Sequence, residues 1–310
     1  MIRTLSAAAL ACAAFASPLA QADTGKLVLT GGISSIDGGA GGGLTPWAVI
    51  GSNATEGEIG VAAHISRLHT HDYRLTTYGA ILGYRDRVEV SLAQQDFDAG
   101  AAVALNGIAP FGVTAGQHIK MDVLGLKVRV AGDAVLDSDT LMPQIAVGLE
   151  HKRTHPGSIA SVLDFLGTRT SGTDLYVSAT KLFLAQGVLL NATLRNTNAN
   201  QNGLLGFGSA APGRNSRSWQ PELSAALLLR RDLAIGAEYR RKPNNLEALG
   251  RAAGLGDALH EDAWKDVFVA WAPTHNLSLT LAYVQLGRVI PGITANRKQS
   301  GAYLSAQAAF

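Results

Sequence analysis

Twelve stretches of this 310-residue chain alternate apolar and polar residues, and the connections between them are long and short by turns. Successive side chains of a strand point to opposite sides, so a period of two marks a strand with one apolar and one polar face. The clearest stretches are 58–68 EIGVAAHISRL, 87–97 RVEVSLAQQDF, 141–151 LMPQIAVGLEH and 187–197 GVLLNATLRNT. Equally clear are 219–230 WQPELSAALLLR, 233–242 LAIGAEYRRK, 276–287 NLSLTLAYVQLG and 300–310 SGAYLSAQAAF. Stretches 73–84, 173–183 and 263–273 are less regular. In 117–130 the apolar phase shifts from Ile119 and Met121 to Leu126, Val128 and Val130, which predicts a bulge beside Gly125. Most stretches have the length a tilted strand needs to cross a bilayer, about 9–11 residues.

The connections separate a soluble sandwich from a membrane barrel. The long ones, 98–116, 152–172, 198–218, 243–262 and 288–299, all fall on one side of the alternating strands. Short turns such as Arg85-Asp86, Arg231-Asp232 and Thr274-His275 fall on the other, and 69–72 is the one short connection on the long side. Outer-membrane barrels sort their loops this way, with short periplasmic turns and longer external loops. The expected fold is therefore all-β, a transmembrane antiparallel β-barrel of about 12 strands.

Charge placement is an independent test, because Arg or Lys on the lipid face near mid-membrane costs about 2–4 kcal/mol. With Val88, Val90, Leu92, Leu223, Leu227 and Ile235 facing out, the lumen receives Glu89, Lys127, Arg129, Glu150, Arg195, Glu222, Arg230, Glu238 and Arg240. These mix both signs, which argues against a strongly anion- or cation-selective pore. Outward Arg67, Lys181 and Arg241 lie near strand ends, where long side chains reach headgroups. Outward aromatics gather at two levels, Trp219 and Tyr239 at one and Phe183, Trp271 and Phe310 at the other, as two girdles would.

Residues 1–22 have a secretory leader's parts: Arg3, the apolar run from Leu5 to Phe15, and Ala20-Gln21-Ala22 as a small-x-small cleavage site. The one cysteine, Cys12, leaves with the leader, so the mature chain has no disulfide and no thiolate chemistry. Removing Arg3 from 26 basic residues leaves 25 against 24 acidic ones, a balance that gives no electrostatic case for nucleic acid. No run of eighteen apolar residues follows Asp23, so transmembrane helices are excluded.

Between leader and barrel (58–310) lies a glycine-rich segment, 23–57, with seven glycines from Gly31 to Gly43. A phosphate-binding loop would need Gly-Lys-Ser/Thr and a helix next, whereas Leu44-Thr45-Pro46 follows. Glycine permits tight packing and positive φ, which suits a plug inside a narrow lumen, with Gly38, Gly39, Gly41, Gly42 and Gly43 at its centre. The alternative is two further strands, 25–30 and 45–51, giving 14 in all.

Residues 31–51, with DYRL at 72–75 and YRDRVEVSLA at 84–93, resemble a Gram-negative family catalogued as domain of unknown function 3034. The resemblance implies an outer-membrane protein over the whole mature chain and brings no catalytic residues. The ending, Phe310 after Ala302, Leu304, Ala306 and Ala308, resembles the C-terminal signature read by the barrel-insertion machinery.

No catalytic, cofactor-binding or metal-ligating set stands out. His69 and His71, with His64 one strand-length back, form a weak metal candidate, because the loop is short and polar and offers no acidic ligand beyond Asp72, and His151 and His155 read as solvated loop residues. Ser66 and His64 share a lumen-facing row, and Glu89 and Glu150 are both inward, yet no distinctive spacing marks a hydrolase. The expected function is passive passage of a small or moderately apolar solute across the cell outer membrane, with lipid and the insertion machinery as partners. The alternatives are a binding or structural barrel with a closed lumen, acting through its external loops, and, behind it, an outer-membrane hydrolase.

Overall fold

The computed structural model describes residues 26, 28–31, 33–98, 112, 117–132, 141–210, 216–289 and 297–310. The expected leader, 1–22, lies outside the described residues. Six strands make the first half of the wall: β1 Ile59–Thr70, β2 Arg74–Tyr84, β3 Val88–Asp98, β4 His118–Ala131, β5 Gln144–His155 and β6 Ser171–Phe183. The second half is β7 Val188–Thr197, β8 Ser218–Arg230, β9 Leu233–Arg240, β10 Trp264–Thr274, β11 Leu277–Arg288 and β12 Lys298–Ala309. Each strand pairs antiparallel with its neighbours in sequence, and β1 pairs with β12 from Ala62↔Ala309 to Thr70↔Gly301, closing a barrel of twelve strands. Closure leaves no unpaired edge, which is the condition for a sheet to sit in lipid. Among the described residues the two extra strands of the 14-strand alternative do not form: Val28–Gly31 is a single helical turn, and between 33 and 57 there are only the isolated bridges Ser34↔Ala40 and Gly41↔Pro46.

Side chains alternate across the wall as a pleat requires: β1 reads exposed, buried, exposed, buried along its whole length. Val61, Ile65, Leu92, Leu126, Leu175, Leu194, Leu223, Leu227, Val267, Leu281 and Leu304 project outward and exposed, an apolar belt suited to hydrocarbon. Trp219 is exposed near one rim and Trp271 and Phe310 near the other. Phe310 also finishes the seam, exchanging two backbone hydrogen bonds of 2.7 and 2.9 Å with Val61.

The expected bulge beside Gly125 is absent. Alternation runs unbroken along β4, Gly125 stands opposite Ser91 in regular register, and the irregularity falls later, between Arg129 and Ala131. Ile119, Met121 and Val123 turn inward, where they pack with Ile159, Leu163, Leu204 and Leu205. His118, Lys120 and Asp122 turn outward instead. The phase seemed to flip because the barrel interior changes from polar to apolar along its axis.

Candidate functional site

Residues 33–52 are all buried, and their partners show where they lie. Ser34 Oγ donates to Gln307, Ala40 N to Glu89, Leu44 N to Glu238, Trp47 Nε1 to Ser224 and Ala48 N to Thr180 Oγ1. In return Lys127 Nζ donates to the carbonyls of Ala40 and Val49, Gln144 to Ala48 and Thr193 to Pro46. These partners sit on β3 to β9 and on β12. A segment bonded to strands on every side of a closed ring occupies its lumen. Local sequence explains the fit: Gly38 has φ +96° and a Cβ there would lie 2.6 Å from the Ala93 Cβ. A Cβ on Gly42 would lie 2.3 Å from Glu238 Oε1 and 2.8 Å from the Trp47 ring.

An ionic network fixes the middle of this segment. Asp37 receives Arg240 at 2.8 Å, Lys152 at 3.3 Å and the Asn202 amide at 2.7 Å. Arg195 bridges Glu150 and Glu222 at 2.5 Å each, and Lys152 also meets Glu150 at 3.2 Å and Asp174 at 3.0 Å. All seven charged groups are buried. Such a network holds only when every charge keeps its partner, since breaking a buried pair costs about 3–5 kcal/mol. Nearer the short turns, Glu89 takes Lys127 at 3.0 Å and accepts from the backbone of Ala40 and Gly51.

Toward the long connections the interior is apolar. A cavity of about 410 Å³ lies there, walled by Leu68, Leu75, Phe97, Ile119, Val284 and Leu286 from strand ends and by Leu163, Leu204, Leu246 and Leu259 from the connections. Ile36, Gly43 and Leu44 of the luminal segment form its floor. Its polar margin is Gln201, His260, Glu261, Trp264 and Asp266. Glu261 holds Lys242 at 3.6 Å, and Lys242 also donates to Gln201 at 2.5 Å and lies over the Trp264 ring. Burial pushes the Lys242 amine down to about 8 against the opposing pull of Glu261. Burial likewise pushes the Glu261 carboxyl up, with Lys242 opposing it.

With this geometry in view, comparison with known proteins adds a family. Residues 30–307 match the model of the family described as protein of unknown function (DUF3034). The chain belongs to that family. No curated protein matches it. A KdgM porin in complex with disordered oligogalacturonate is similar at 7% identity, covering 81% of this DUF3034 chain and 99% of that one, with a TM-score of 0.47. An outer membrane channel from Pseudomonas putida F1 is similar at 12% identity over 83% and 96% of the two chains, TM-score 0.43. Outer membrane phospholipase A from Escherichia coli is similar at 10% identity over 80% and 89%, TM-score 0.41. At such identities the likeness concerns the barrel fold alone.

Of the residues expected in the lumen, Glu89, Lys127, Arg129, Glu150, Arg195, Glu222, Glu238 and Arg240 of the DUF3034 barrel are buried inside. Arg230 is not. A register shift between Leu228 and Arg230 ends the alternation at the last turn of β8, and Arg230 sits exposed at the rim, paired with Asp232 at 3.0 Å. Sequence reading missed Asp37, Lys152 and Asp174. Lys152 carries a usable signal, since it shares the parity of Glu150, but β5 runs to His155, four residues beyond the stretch 141–151 that periodicity marks. His64 and Ser66 do not combine: Ser66 bonds Ser305 and Tyr303, and both His64 ring nitrogens are without a hydrogen-bond partner among the described residues. His69 bonds Arg74 and sits on the exposed face, away from His64.

Proposed function

We propose that this barrel is an outer-membrane channel for a small, moderately apolar solute, which enters the cavity on the long-loop side and passes when residues 33–54 shift. The observation that carries the reading is the apolar cavity resting directly on the luminal segment. Its volume falls in the range of small-molecule sites, about 300–1,000 Å³, and its walls are leucine and aromatic side chains with a few polar groups at one margin. The apolar exterior of a closed barrel supports a place in the outer membrane, and the proposal includes a leader cleaved after residue 22 and insertion guided by Phe310 and Leu304. The glycine-rich run, Gly38 to Gly43, serves as a plug.

Purified protein in a planar bilayer tests this. The intact chain is expected to conduct weakly, and deletion of residues 31–43 to raise conductance several-fold. Flat traces from both would sink the channel reading. They would leave the second reading, a binding barrel with a closed lumen, which the bonds from residues 33–54 to eight strands favour.

A further inference from the structure

Inward carboxylates in this barrel come with cations, with one exception. Glu89 has Lys127, Glu150 and Glu222 have Arg195, Asp174 has Lys152, and Glu261 has Lys242. Glu238 and Asp266 stand opposite each other on β9 and β10, both buried, and neither forms an ion pair among the described residues. The cations at that end of β9, Arg240 and Lys242, are committed to Asp37, Glu222 and Glu261.

The two acids differ in their neutral partners. Glu238 accepts from Leu44 N at 2.7 Å, Thr45 Oγ1 at 2.6 Å and Ser224 Oγ at 2.7 Å. Asp266, only 7% exposed, has an Oδ1 with no hydrogen-bond partner, and it lines the apolar cavity. Trp264, on the same inward row, also lines the cavity, and its Nε1 is likewise unpartnered. A carboxylate beside a second carboxylate, walled by leucines, is costly unless a retained proton or a positive charge completes it, and an ammonium group supplies both the charge and the hydrogen-bond donors. A metal ion would need several oxygen ligands, and apolar walls do not supply them.

We propose that the cavity binds a protonated organic amine, its apolar body among the leucines and its ammonium group hydrogen-bonded to Asp266, with Glu238 as the second negative charge. This rests on the reading of the cavity as the solute's entry site and names the class of solute. A neutral alcohol of the same shape fills the same space but leaves the acid pair uncompensated. An anion of that shape meets repulsion.

The test uses the full-length barrel in detergent micelles and calorimetric titration at pH 7 with phenethylamine, 2-phenylethanol and phenylacetate. Because a hydrogen bond to a charged group is among the stronger ones, phenethylamine is expected to bind about tenfold tighter than 2-phenylethanol, with phenylacetate weakest. Asp266→Asn is expected to bring the amine to the alcohol's level without changing the alcohol. Equal binding of all three, or an amine preference that survives Asp266→Asn, overturns the proposal while the cavity reading stands. Absence of binding by all three, with the barrel folded by gel mobility, overturns both. Should Asp266→Asn fail to fold, Glu238→Gln must also weaken the amine preference; an unchanged preference overturns the proposal.

Discussion

Asp37 meets Lys152, Arg195 and Arg240 inside the barrel, and a neutral side chain there would take one charged partner from each of these buried cations, leaving Glu150, Glu222 and Asp174 to hold them. Asp37→Asn is therefore expected to lower unfolding free energy by about 3–5 kcal/mol, read from urea titration of the reconstituted protein. Lys242 has the opposite character, because burial favours its neutral form. Between pH 8 and 10.5 an unfolded lysine keeps a proton that the docked one has lost, so docking of its connection strengthens as pH rises through that window. Protection factors of the amides of Gln201 and Asn202, which pack against Lys242 and Arg240, are expected to rise accordingly once the intrinsic pH dependence of exchange is divided out. At this scale the sequence was only partly readable. Eight lumen charges follow from parity alone, but Asp37 lies in a segment without parity, and only the assembled ring gives it partners.

The luminal segment shows how elements are read and misread. Residues 45–51 look like a strand by composition, yet the backbone of 33–52 bonds mainly to wall side chains rather than to a neighbouring ladder. The glycines that make this packing possible also deny it the side chains a strand would pack. Because residues 23–310 contain no cysteine, Ala40→Cys in a chain starting at Asp23 gives a clean probe. Ala40 is fully buried, so this thiol is expected to resist a membrane-impermeant maleimide in the native barrel. Adding Gly42→Val, whose side chain collides with Glu238 and Trp47, is expected to displace the segment and make the thiol react. Continued protection would mean that the wall adapts. β4 teaches a related lesson: alternation marks a strand reliably, but which face is inside depends on what fills the interior at that height.

For the whole molecule, lipid sets the exterior and the filling sets the interior. Leu92, 58% exposed in the middle of β3, is expected to lose about 2–4 kcal/mol of stability as Leu92→Arg. Lys120, outward but near the loop-side rim, should tolerate Lys120→Leu with little change, since the lipid-face penalty on a charge falls toward the interfaces. Comparing the two in the same unfolding measurement maps the height of the membrane on the wall. The closed twelve-strand barrel was legible from periodicity because its exterior obeys one solvent throughout. The cavity was not, because it is built from inward apolar residues that a period-two pattern assigns to the outside. Chain order adds a last constraint. The filling is N-terminal to the wall, whereas the final join brings the first strand to the last, with Phe310 at its edge. Because Ser34 of the filling bonds Gln307 on the last strand, the full set of its contacts exists only once the seam is shut, so closing the wall and gripping its contents are one and the same step of stabilisation.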